Sequence, residues 1–148
     1  MTPVGEKYDL LKHFEGSHLR MPKDYLAVFD STMARFWFFN EQARKEVLGI
    51  LNQVSCGRIL SDAELKQSGV FFPDRRFGEA VFLLDPGWLF SRSDFNGSSW
   101  KPVGMHGYHP SDPYSDGIFL TNREPANQVR SLLDVHHWMT RSVELNTA

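Results

Sequence analysis

The chain has 148 residues and a mass of 17.0 kDa, the size of one domain, and its 41% hydrophobic and 14% aromatic side chains suffice to bury a sizeable core. Sixteen basic against eighteen acidic side chains leave a formal charge of -2 with no long Lys/Arg run to follow a phosphate backbone, which argues against nucleic-acid binding. The single cysteine, Cys56, excludes an internal disulfide, and no apolar stretch nears the roughly 20 residues that span a bilayer, so a soluble chain in a reducing, cytoplasmic setting, without a membrane partner, is expected.

Met1 is not followed by the basic start and apolar run of an export signal. Tyr25 to Phe29 and Ala34 to Phe39 are rich in aromatic and β-branched residues and are separated by Asp30-Ser31-Thr32-Met33, which predicts a β-hairpin. Asn40 is a good N-cap for a helix from about Glu41 to Val54, with Ala43, Val47, Leu48, Ile50, Leu51 and Val54 on its apolar face and Gly57 past its end.

Ser61-Asp62-Ala63-Glu64 is a capping box that opens a short helix ending near Gly69. Glu79 to Leu84 is an apolar run between Gly78 and the turn Asp85-Pro86-Gly87, the pattern of a buried strand. Ser91 to Gly107 reads as a long surface loop. Ile118 to Thr121 reads as a second short buried strand, and Val129, Leu132, Leu133 and His136 fall at the spacing of a C-terminal helix that covers the sheet. Strands alternating with helices predict an α/β or α+β layer in a single unit.

The segment richest in chemistry is Gly104-Met105-His106-Gly107-Tyr108-His109-Pro110, which continues through Ser111-Asp112-Pro113-Tyr114-Ser115-Asp116. Its glycines let the backbone take unusual dihedrals beside His106, and a histidine so flanked serves either as a metal ligand or as a turn and hydrogen-bonding residue. His106 and His109 with Asp112 and Asp116 could form a mixed N/O cluster, but loop spacing imposes no ligand geometry, and the two aspartates read as turn formers. His136 and His137 are adjacent on a helix, about 100° apart, and so do not serve one ion; one packed and one solvated ring are expected. Phe36-Trp37-Phe38-Phe39 could stack a nucleotide base, although alternating burial in a hairpin explains the run more simply.

Arg76 to Trp88, Gly104-Met105-His106-Gly107-Tyr108 and Gly117 to Asn122, taken in order, resemble the C-terminal portion of the type I phosphodiesterase/nucleotide pyrophosphatases of the alkaline phosphatase superfamily. The specific element is the Gly-X-His-Gly-Tyr loop, and the remainder is similarity at the level of the fold. The resemblance implies a fragment of an alkaline-phosphatase-like α/β/α sandwich with an aromatic β-hairpin insertion, in which Ile118 to Thr121 enters the central sheet. It also implies that His106 supplies the last histidine ligand of a two-zinc site acting on phosphodiesters or nucleotides. In such a site zinc would lower the pKa of a hydroxyl nucleophile and stabilise charge on the phosphoryl oxygens.

The family's nucleophile and its remaining ligands, including an Asp-His-Gly-Met motif, have no counterpart in this chain. Thr2, Ser31 and Thr32 lack the family's nucleophile context, and the latter two read as turn residues. Met1-Thr2-Pro3-Val4 resembles the residues that succeed Asp-His-Gly in that motif. The expectation is therefore a C-terminal part that awaits an N-terminal catalytic portion, inactive alone, weak in zinc, and prone to self-association through exposed sheet edges. The alternative is an autonomous, non-catalytic module that binds a protein through an exposed aromatic hairpin.

Overall fold

Ala80–Leu84, the apolar run after Gly78, is buried on both faces along its whole length. It can be so only as an interior strand. In the computed structural model, which describes residues 1–95, 99–122 and 129–144, the strands are β1 (Thr2–Pro3), β2 (Glu6–Tyr8), β3 (Tyr25–Phe29), β4 (Met33–Phe38), β5 (Gly57–Ile59), β6 (Ala80–Leu84), β7 (Trp88–Phe90) and β8 (Gly104–Met105). The helices are α1 (Leu11–Glu15), α2 (Glu41–Leu51), α3 (Asp62–Gln67) and α4 (Leu132–Glu144). The chain divides into two compact units, Met1–Asp116 and Gly117–Ala148. Its class is mixed α/β.

In the first unit an antiparallel sheet runs in the order β3-β4-β6-β5. The expected hairpin forms with Tyr25 opposite Phe38 and Phe29 opposite Ala34, and Met33 joins the second strand, which shortens the turn to three residues. Alternation sends Tyr25, Ala27 and Phe29 to one face with Ala34 and Phe36. Phe36 is fully buried, stacked 6.0 Å from Phe14 and edge-on 5.8 Å from Phe29, and the core continues through Phe82, Leu84 and Phe90. The run Phe36-Trp37-Phe38-Phe39 is mostly spent on packing. The Trp37 indole donates to the Arg75 carbonyl at 2.9 Å, Phe38 lies under the Arg44 guanidinium, and only Phe39 is largely exposed.

Helix α2 begins as expected, with the Asn40 side chain accepting from the Ala43 amide at 2.8 Å, and it buries Ala43, Val47 and Leu51. It ends at Leu51, short of Val54. Gly57 opens β5 and caps nothing: a Cβ there would stand 2.6 Å from the Leu83 carbonyl oxygen, so the position demands glycine for close strand approach. Helix α3 carries the full Ser61/Glu64 capping box, and Gly69 comes after it at φ +70°. Two small pairings complete the unit, β2 parallel to β7 and β1 antiparallel to β8.

The second unit corrects an expectation. Ile118 to Thr121 forms no strand, and Ile118 and Leu120 are 88% and 87% exposed. An extended apolar segment needs a neighbouring strand or helix to bury against, and the described residues of this unit supply no strand, with Phe119 alone of the run set against a ring of α4. Helix α4 forms with Leu132 and Leu133 exposed, and Phe119 lies edge-on against Trp138 at 5.4 Å. No helix among the described residues is long and apolar enough to cross a membrane.

Candidate functional site

His106 stands just past β8, where the chain leaves its ladder with β1. Thr2 faces Met105 and Pro3 faces Gly104, and the Val4 amide extends the pairing to the Val103 carbonyl at 3.2 Å. Continuing that register by one step sets Met1 across from His106; a Cβ on Gly104 would lie 3.5 Å from the Met1 Cβ. The imidazole is exposed, and among the described residues neither ring nitrogen has a hydrogen-bond partner.

The residues after His106 are held tightly. Gly107 adopts φ +92°, in the region open to glycine, and its carbonyl accepts from the Thr32 hydroxyl at 2.7 Å. Tyr108 is buried, and its hydroxyl donates to the Trp88 carbonyl at 3.0 Å; burial pushes its phenol above the ordinary value. Thr32 lies at the tip of the β3–β4 hairpin and is itself buried. Its carbonyl accepts from the Leu84 amide at 2.9 Å, and the Ser31 carbonyl accepts from the Phe90 amide at 2.9 Å, which ties the tip to β6 and β7.

Further on, Asp112 is buried and caps a 3₁₀ turn, Pro113–Ser115. Its carboxylate accepts from the Thr2 hydroxyl, the Ser115 hydroxyl and the Tyr114 amide. These bonds, that from Thr2 foremost, hold the Asp112 carboxyl below its ordinary value. The Thr2 and Thr32 hydroxyls are thus committed to structure, and Ser31 lies buried in the turn. The His109 Nδ1 is engaged by the Ser111 amide and hydroxyl, which leaves Nε2 to carry the proton of the neutral ring. Beside these groups lies an open cleft of about 480 Å³, lined by Arg58, Asp85, His109, Asp112 and Tyr114 among others.

His106, His109, Asp112 and Asp116 do not converge: among the described residues no group of three or more His, Cys, Asp or Glu could hold a metal ion. His106 on its own offers one imidazole, compatible with a ligand lent to a shared centre and short of the three or four protein ligands of a tight zinc site. His136 and His137 are both exposed, their ring centroids 5.8 Å apart, so the expected packed ring is absent. Sequence reading missed the roles of Thr32 and Asp112 because their partners are 75 and 110 residues away and no local motif announces such pairs. Compared with known proteins, the chain matches no family model, no curated protein and no solved structure.

Proposed function

We propose that this chain is the C-terminal portion of a zinc-dependent phosphodiesterase or nucleotide-pyrophosphatase-like hydrolase, of alkaline-phosphatase-like sandwich fold, with His106 as one metal ligand. The observation that carries the reading is the exposed His106 imidazole set between a strand ladder and a clamped Gly107-Tyr108. A catalytic ligand must be open to the metal, and here the ring is exposed while the backbone on either side of it is anchored. The register adds support, because residues joined to the start of β1 would run beside His106, where an Asp-His-Gly segment would bring further ligands. When bound, a zinc pair would activate a nucleophile and stabilise charge on the phosphoryl oxygens.

On this reading, the residues of the chain have limited and definite tasks. His106 lends a neutral imidazole, Gly107 and Tyr108 fix the loop that carries it, and the hydroxyls of Thr2 and Thr32 are structural donors with no part as nucleophiles. The chain alone is expected to hold zinc only weakly and to leave phosphodiesters intact. The test is the natural reading frame: codons for Asp-His-Gly directly before Met1 are expected, and protein expressed with the whole upstream frame should hydrolyse a nitrophenyl phosphodiester. His106→Ala should cut turnover of the extended protein by about 10- to 100-fold or more. An in-frame stop before Met1, or an extended protein indifferent to the loss of His106, would sink the proposal.

A further inference from the structure

We infer that Thr32, at the tip of the aromatic hairpin, is the positioning residue that fixes the His106 loop in its ligand-presenting form; the inference rests on the hydrolase reading above. His106 lies between two anchored neighbours. Met105 on its N-terminal side is held in the ladder opposite Thr2. On its C-terminal side, the Gly107 carbonyl takes the Thr32 hydroxyl proton at 2.7 Å, so the backbone at His106 has little room to turn.

The anchor itself is rigid. Thr32 is 4% exposed, its carbonyl is bound to the amide of Leu84 in the central strand, and the preceding Ser31 is bound through its carbonyl to Phe90. The sheet core therefore reaches the residue next to His106 through the Thr32 hydroxyl. Gly107 is fitted to that hydroxyl, because a Cβ there would stand 3.1 Å from the Thr32 Oγ1, in addition to the cost of φ +92°. Glycine permits both the turn and the close approach. A buried threonine with nothing to hold would not bring a hydroxyl to the far loop, 75 residues along the chain.

The experiment compares Thr32→Val, which keeps the shape and removes the donor, with Thr32→Ser, which keeps the donor, in the full 148-residue chain. Amide hydrogen exchange at Val4 and Asp112, whose amides bond the Val103 and His109 carbonyls on either side of the His106 loop, should quicken about fivefold in the valine variant relative to amides of the β6 strand, as expected from one lost hydrogen bond that opens a loop locally. Thr32→Ser should return it to within about twofold of wild type. A uniform rise across loop and core alike, or a serine variant that behaves as the valine does, would reduce Thr32 to a packing residue and overturn the inference. Zinc chloride titrated against the wild-type chain, read at the His106 ring resonances, separates the two ideas. A ring that never responds to zinc, alongside the loop-specific exchange pattern, counts against the ligand reading while the clamp stands.

Discussion

The two units treat similar apolar material in opposite ways. Ala80–Leu84 in the first unit and Ile118 to Leu120 in the second are both short apolar runs, yet one is wholly buried and the other leaves Ile118 and Leu120 almost fully exposed. The difference lies in neighbours: β6 has β4 on one side and β5 on the other, whereas the described residues of Gly117–Ala148 include no strand. Apolar composition makes burial worthwhile, but a neighbouring element must be there to bury against.

The strongest way to break the contrast is to open a cavity in the first unit. Phe82→Ala, at a site with no exposure, should cost about 3–5 kcal/mol of stability, measured by denaturant unfolding. A loss below about 1 kcal/mol would mean that the core is looser than its burial implies. Next in size, Gly107→Ala, which forces a side chain into φ +92° beside the Thr32 hydroxyl, should cost about 1–3 kcal/mol and disturb the His106 loop ahead of the sheet.

Acid sharpens the same contrast within the first unit. The Asp112 carboxyl is held below its ordinary 3.8, chiefly by the Thr2 hydroxyl, and Glu64 is drawn from 4.5 down to about 2, chiefly by Arg58. A carboxyl with a depressed folded-state pKa gives stability that is present above its unfolded value and lost as pH falls through its folded one. Melting temperature should therefore fall between pH 4.5 and 2, and Asp112→Asn should flatten part of that fall. Parallel curves for the two proteins would show that Asp112 contributes nothing to the acid response. The smallest stability effect is expected in the second unit: Leu133→Ser, at a side chain 77% exposed, should change unfolding by less than about 0.5 kcal/mol. The same change should lower self-association in light scattering, and a large loss of stability would show that Leu133 is covered after all.

What the sequence made legible was local. Asn40 and the Ser61/Glu64 box act within a single helical turn, and both caps form as their spacing predicts. The hairpin and β6 arise from alternation and from an unbroken apolar run. The three-residue pair β2–β7 was not legible, because its strands are too short to show a period and lie some eighty positions apart. Gly57 looked like a helix stop because glycine serves both there and at close strand contacts, and only the Leu83 carbonyl tells the two uses apart. At the site, His106 stood out through its flanking glycines. Its supports did not, since the Thr32 and Asp112 bonds exist only once the chain has folded.

The proposed role of His106 is tested most sharply by the zinc content of the protein expressed with the upstream extension that the hydrolase proposal calls for, determined by elemental analysis with and without His106→Ala. Two zinc ions per chain, with at least one lost in the variant, is the predicted result. Two ions retained without His106 would contradict it.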